Sequence, residues 1–236
     1  VTGGASGIGL GISSYLAESG WLVAIADRDQ SACQSAAETL GNANAKVIWA
    51  DVATEEGSSR AVNSCIEHFG VPTLVCNNAG VRHIESLFSI DLESWHESFQ
   101  VNVDAALLCS RSVLPHMEAV GGGSIVNIGS ISGQVPYADG GAYATSKAAL
   151  IMLTRVLAIE AGPRGVRVNC ICPGSINRDE MNPTLASGHI PIGRAGNPKD
   201  VASLIAYLGS EEAKYVNGAI IALDGGATAG RTRVSN

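Results

Sequence analysis

Six short apolar runs punctuate the chain: Trp21–Ala26, Ala45–Ala50, Thr73–Cys76, Ser124–Ile128, Val166–Cys172 and Gly218–Leu223. Segments of helix length, rich in Ala, Leu, Ser and Glu, separate most of them. Apolar runs this short, without polar alternation, predict strands buried on both faces. Strands that alternate with helices are joined by crossovers rather than hairpins. The sheet is therefore expected to be parallel, with helices on both faces and right-handed crossovers. The fold class expected is α/β, doubly wound. A chain of 236 residues suits one domain with one large core, and no internal repeat or linker divides it. A further strand is expected to end at Val1–Thr2, because a Gly-rich loop follows directly and such loops follow strands. Residues upstream of Val1 are expected on the same ground.

Open parallel sheets bind ligands beyond the C-terminal ends of their strands, so the residues that stop each run carry the functional argument. The first stop is Thr2-Gly3-Gly4-Ala5-Ser6-Gly7-Ile8-Gly9, opening a helix to about Ser19. Its glycines allow a tight turn and close approach of backbone to a phosphate, and the helix N-terminus offers free N–H groups to an anion. A plain Gly turn before a helix has the same look. Asp27 closes the next run, 18 residues past Gly9. That is where a dinucleotide fold places an acid on the adenosine ribose hydroxyls, and the acid would repel a 2′-phosphate, favouring NAD over NADP. The adjacent Arg28 is able to hold such a phosphate, and Asp27 is equally readable as a turn acid. Asp51 is placed to accept from an adenine amino group with Val52 against the ring, or to cap the helix that starts near Thr54. Asn77-Asn78-Ala79-Gly80 predicts a turn pinned by side-chain amides. Ser130 and Pro173-Gly174-Ser175-Ile176 close later runs. Residues 177–197 read as an irregular lid over a pocket, and Ala227–Asn236 as a loose tail.

Two helices complete the reading. Leu92–Met117 is expected to be one helix with Asn102 in its middle; an amide there finds a buried partner or bends the helix. Gly141–Glu160 is expected to be another, unbroken by proline before Pro163. It carries Tyr143 and Lys147 four residues apart, hence on one face. An ammonium beside a phenol favours phenolate and lowers its pKa from about 10, so that it can move a proton near neutral pH. The same spacing also occurs in ordinary surface pairs. Ser130 stands 13 residues before Tyr143, where its hydroxyl is able to hold a carbonyl oxygen opposite the Tyr proton.

Composition excludes other classes. The net charge of −7 argues against nucleic acid or an anionic membrane as partner. No uninterrupted apolar run reaches 18 residues, so no bilayer-spanning segment is expected. The cysteines (33, 65, 76, 109, 170 and 172) show no metal spacing, and free thiols in a reducing cytoplasm are expected. Cys170 and Cys172 share a strand face but are poorly set for a disulfide.

Taken in order, Thr2-Gly3-x-x-x-Gly7-x-Gly9, Asp51, Asn77-Asn78-Ala79-Gly80, Asn102, Ser130, Tyr143-x-x-x-Lys147, Pro173-Gly174 and Asp224-Gly225-Gly226 resemble the short-chain dehydrogenase/reductase family over essentially the whole chain. The resemblance implies a Rossmann-type sheet of seven strands and hydride transfer between a nicotinamide and a secondary alcohol or its ketone. It implies Tyr143 as general acid/base and Lys147 as the group that lowers its pKa and binds the nicotinamide ribose. Ser130 would hydrogen-bond the substrate oxygen, and Asn102 would hold a water linking Lys147 to solvent. It also implies a homotetramer, with the Asn102 and Tyr143 helices between subunits. Substrate choice is expected from residues near Gln134, Val135, Tyr137 and the lid.

The chain departs from the family pattern where Arg178 replaces a common Thr, and the lid is short. Two rivals stand beside this reading. One is a 3-oxoacyl-carrier-protein reductase using NADPH, which needs a basic patch beside the pocket; Arg164 and Arg167 are the candidates. The other is a non-catalytic dinucleotide-binding sensor, since fold alone does not prove activity.

Overall fold

The computed structural model describes residues 1–40, 44–177 and 190–230. The lid expected over 177–197, with Arg178, lies largely outside the described residues. Six strands form: β1 (Val23–Asp27), β2 (Ala45–Trp49), β3 (Leu74–Asn77), β4 (Gly123–Ile128), β5 (Val166–Pro173) and β6 (Ile220–Leu223). All the pairs are parallel, β1 with β2 and then β3-β4-β5-β6 in that order. The strand expected to end at Val1–Thr2 is seen as strand-type pairing of Thr2 on both sides, and six full strands form among the described residues rather than seven. Thr2 makes only single parallel bridges, to Ala26 of β1 and Asn77 of β3. Those bridges still place Thr2 between the two groups, so the chain runs one way to β2 and the other way to β6. The reversal falls at the Gly3–Gly9 loop, and a crevice opens at such a switch point.

The helices are α1 (Gly7–Glu18), α2 (Gln30–Leu40), α3 (Glu55–Phe69), α4 (Leu92–Phe99), α5 (Ala105–Ala119), α6 (Gly141–Ala161) and α7 (Pro198–Gly209). One core cluster joins Ile12 and Leu16 of α1, Ala36 of α2 and Ile205 and Leu208 of α7 to Ile25 and Val126 of the sheet. A second face is packed by Val62 of α3, Val113 and Met117 of α5 and Ala158 of α6 against Ile125 and Val168. Burying each Val, Leu, Ile or Met of this kind contributes about 1.5–3 kcal/mol. The chain thus forms helices on both faces of parallel strands, as the alternation requires.

Three local expectations change. The helix over 92–117 is interrupted: Gln100–Asp104 forms a π turn between α4 and α5. Asn102 lies in this turn and finds the buried partner expected of it: its side-chain amide bonds the backbone of Val81, accepting from the N–H at 2.8 Å and donating to the carbonyl at 3.0 Å. α3 is capped by Thr54, which accepts from Gly57 N at 3.0 Å, rather than by Asp51. The tail is ordered as far as it is described: Asp224 accepts from the N–H groups of Gly226 and Thr228 and from the Thr228 hydroxyl, making a turn.

The expectation that nothing is apolar enough to cross a membrane also changes. The helical stretch Gly141–Arg164 has the length and hydropathy of such a span. Its composition reflects burial in protein. Ser146, Lys147 and Thr154 on α6 are all buried and bonded to protein groups, so the helix is a core element.

Candidate active site

A cleft of about 730 Å³ opens at the C-terminal ends of the strands. Gly3, Ser6, Gly7, Ile8 and Gly9 line one part, with Asp27, Arg28, Asp51 and Val52 beside them. Asn78, Ala79, Gly80, Ser130, Tyr143, Lys147, Pro173, Gly174 and Ile176 line the rest. Of the catalytic and cofactor-binding residues expected at the site, Asn102 alone does not line it and sits buried behind the wall; of the residues expected to set substrate choice, Tyr137 lines the cleft and Gln134 and Val135 do not.

The Gly-rich loop is held by a reciprocal clamp. Asn78 Nδ2 donates to the carbonyls of Thr2 and Gly3 at 3.1 and 3.0 Å, and Thr2 Oγ1 accepts from the N–H groups of Asn78 and Ala79. Gly3 and Gly7 have φ of 57° and 53°, in the region that favours glycine. A side chain at Gly9 would run into the Gly3 carbonyl and Asn78 Nδ2. Ser6, the N-cap of α1, makes no side-chain capping bond, whereas α3, α4 and α7 are capped by Thr54, Asp91 and Asn197. The helix that opens on the cleft thus keeps its N-terminal amides free for an anion. These features fit a phosphate-bearing ligand: bare backbone, an uncapped helix and a cleft within the 300–1,000 Å³ range of ligand sites.

At the adenosine end expected from the sequence, Asp27 is buried and accepts from Ala5 N and Asp29 N, both at 3.1 Å. Each carboxylate oxygen keeps a further lone pair. Arg28 is turned to Glu97, 3.2 Å away, and Glu97 also bonds His83 at 2.8 Å. Asp51 is exposed and accepts from Ala53 N at 3.0 Å.

At the other end stand Tyr143 and Lys147. α6 places them on one face, with Lys147 Nζ 5.8 Å from the centre of the Tyr143 ring. Lys147 is buried and donates to the Ile128 carbonyl at 2.8 Å. Burial lowers its pKa from 10.5 to about 8, against the opposing pull of the Cys170 and Cys172 thiols. Those sulfurs lie 3.8 Å apart and share a thiol hydrogen bond rather than a disulfide; the six cysteines are free. Ser130 Oγ accepts from Ser132 N at 3.1 Å, which turns the hydroxyl at the strand end while leaving its proton to donate. Asn102 uses its second amide N–H on Ser146 Oγ at 2.9 Å, so its amide joins the Val81 backbone to α6. A Cβ on Gly80 would sit 3.1 Å from Asn102 Oδ1 and 3.5 Å from Lys147 Nζ, so both flank the same glycine.

Cleft residues not singled out from the sequence include Val81, Arg82 and Ser132. Arg82 had a signal: it follows Asn77-Asn78-Ala79-Gly80 by two positions, so it had to lie just past a strand end.

A family model described as enoyl-(acyl carrier protein) reductase matches residues 3–228. The chain belongs to the short-chain dehydrogenase/reductase family. Relatives agree over nearly the full length. The chain is 37% identical to 2-(S)-hydroxypropyl-CoM dehydrogenase 3 of Xanthobacter autotrophicus, over 97% of this chain and 95% of that one. It is 38% identical to galactitol 2-dehydrogenase (L-tagatose-forming) of Cereibacter sphaeroides, over 97% and 93%. It is 33% identical to dehydrogenase/reductase SDR family member 4 of Rattus norvegicus, over 96% and 85%. As a short-chain dehydrogenase/reductase it is an oxidoreductase that works with a nicotinamide dinucleotide. One expectation follows for the Gly-rich loop of this family member. Gly9→Ala, by forcing Gly3 or α1 to shift, should cost about 1–3 kcal/mol of stability. It should also weaken NADH binding, as read by fluorescence titration; a variant with wild-type affinity would show that the loop is not the phosphate cradle.

Proposed function

We propose that the protein transfers hydride between NAD(H) and a secondary alcohol or its ketone. The observation that carries this reading is the gathering of Ser130, Tyr143 and Lys147 on the cleft that the Gly-rich loop also lines. The nicotinamide, when bound, supplies the hydride acceptor or donor. Tyr143 takes the alcohol proton during oxidation and returns it during reduction. Lys147, charged below about pH 8, favours the phenolate and holds the nicotinamide ribose. Ser130 and Tyr143 aim two donors at the substrate oxygen, where negative charge develops. Gly3, Ser6, Gly7, Ile8 and Gly9 hold the pyrophosphate, and Asp51, Val52 and Asn78–Gly80 the adenosine and ribose. Pro173, Gly174 and Ile176 flank the nicotinamide. Asn102 keeps a water between Lys147 and solvent; since its side-chain N–H groups are committed, an oxygen lone pair or its main-chain carbonyl would hold that water.

Support for NAD over NADP comes from Asp27 at the end of β1 and from Arg28, drawn to Glu97 instead of standing free for a 2′-phosphate. The relatives' names, a hydroxypropyl-CoM dehydrogenase and a galactitol 2-dehydrogenase, support secondary alcohols as substrates. We also read residues 1–236 as one dinucleotide-binding domain, with 177–197 as its lid. The outer face of α6 exposes Met152, Val156 and Ile159, one helical stripe of 55%, 43% and 76% exposure, which supports a homotetramer built on the α5 and α6 faces.

A cofactor screen tests the assignment. Oxidation of several secondary alcohols with NAD is the expected result. Activity confined to acyl thioesters with NADPH would replace it with the carrier-protein reductase. Arg164 and Arg167, the basic residues expected to serve that rival, lie at the N-terminal end of β5, with Arg164 against Glu118 and Arg167 bonded to the Leu208 carbonyl, whereas the cleft lies past Pro173 at its other end. Tight NADH binding without any turnover would identify a sensor.

A further inference from the structure

We propose that Arg82 forms a subsite for a carboxylate on the substrate, so that the preferred alcohols are hydroxy acids. The inference rests on the dehydrogenase reading above and adds to it the substrate class. Arg82 lies on the cleft wall, with its guanidinium carbon 5.9 Å from the centre of the Tyr143 ring and 5.5 Å from that of Tyr137. Its Nε donates to the Tyr137 hydroxyl at 3.0 Å. That bond engages Nε of the exposed guanidinium, and no hydrogen bond is made by its terminal nitrogens among the described residues. No carboxylate pairs with it there either, whereas Arg28, Arg60, Arg111, Arg164 and Arg194 each have one.

The charge along the cleft is divided. The carboxylates that line it, Asp27, Asp29 and Asp51, all follow β1 and β2, beside the Gly-rich loop. Around Tyr143 the lining holds two cationic side chains, Arg82 and Lys147, and no carboxylate among the described residues. In a chain of net charge −7, a cationic patch at the reacting end selects for an anion. A guanidinium presents a planar fork that matches a carboxylate with two parallel bonds. The backbone beneath it is fixed as well. Val81 is held at both its N–H and its carbonyl by Asn102, so the π turn positions Arg82. A group held in place before binding loses less freedom on meeting its ligand.

The test pairs secondary hydroxy acids with their methyl esters, assayed with NAD on the wild-type protein, Arg82→Gln and Arg82→Lys. The wild type should prefer the acids. Arg82→Gln should lose roughly 10- to 100-fold in kcat/KM on the acids, the worth of a charge-assisted hydrogen-bonded pair, mainly through KM. Its activity on the esters should hold, and Arg82→Lys should keep part of the preference. A merely structural Arg82 would lower acid and ester alike, and that result, or equal rates on both in the wild type, overturns the subsite. Turnover of neutral alcohols alone would also remove the subsite and leave the dehydrogenase standing. If nothing is turned over, the dehydrogenase reading fails. Calorimetry of the same hydroxy acids on the protein–NADH complex then decides the subsite: binding lost in Arg82→Gln supports it, and binding unchanged overturns it.

Discussion

Replacing Tyr143 with phenylalanine is expected to lower kcat by about 10²- to 10⁴-fold, the usual worth of one general acid/base, while NAD binding is retained. The change removes one hydroxyl and nothing else. The ring keeps its place on α6, 5.8 Å from Lys147 Nζ and 5.9 Å from the Arg82 guanidinium, and both contacts depend on the ring face. Without the hydroxyl, the proton on the alcohol oxygen has no acceptor beside it, and Lys147 has no phenolate to favour. Steady-state turnover together with an NADH titration separates the two effects. A Tyr143→Phe protein with most of its activity would remove the proposed role from this residue.

The second large effect concerns stability. Lys147→Met should raise stability at pH 7 by about 1–3 kcal/mol while turnover collapses. The folded chain holds a buried ammonium whose pKa burial has lowered from 10.5 to about 8. Each tenfold weakening of proton binding costs about 1.4 kcal/mol, so keeping the charged form costs about 3 kcal/mol, offset in part by the bond to the Ile128 carbonyl. The sign with pH follows from proton counting. Between about pH 8 and 10.5 the unfolded chain binds a proton that the folded chain has released, so stability rises with pH across that window. Below it the full cost remains, and above it the cost is gone. The advantage of the methionine variant should therefore be largest at neutral pH and shrink toward pH 10.5, as denaturant titrations at several pH values would read. A variant less stable than wild type at pH 7, or a gap independent of pH, would mean that Lys147 is not held against its charge.

The layered architecture was legible because alternation of short apolar runs with helices allows few arrangements. The cleft was legible because strand ends are known as soon as strands are: Gly9, Asp27, Ser130 and Gly174 were placed by where each run stopped. What escaped the reading depends on partners distant in sequence. That Asn102 would find a buried partner or bend its helix was readable, but not that the partners are Val81 and Ser146, 21 and 44 residues away. The capping of α3 turned on a choice between two oxygen-bearing neighbours, Asp51 and Thr54, that differ by three positions. The tail gained order from Asp224, a residue read only as part of a closing motif. The seventh strand was inferred from a loop that normally follows one; Thr2, just before that loop, makes single bridges to β1 and β3.

Hydride transfer at the Tyr143 end of the cleft is the claim on which the rest depends, and isotope transfer tests it most directly. A secondary alcohol carrying deuterium on its carbinol carbon is incubated with the protein and NAD, and the NADH formed is examined by NMR. One deuterium at C4 of the nicotinamide for each ketone produced, on a single face of the ring, is the result expected. Reduced cofactor without deuterium, or ketone formed with no reduction of NAD, would contradict it.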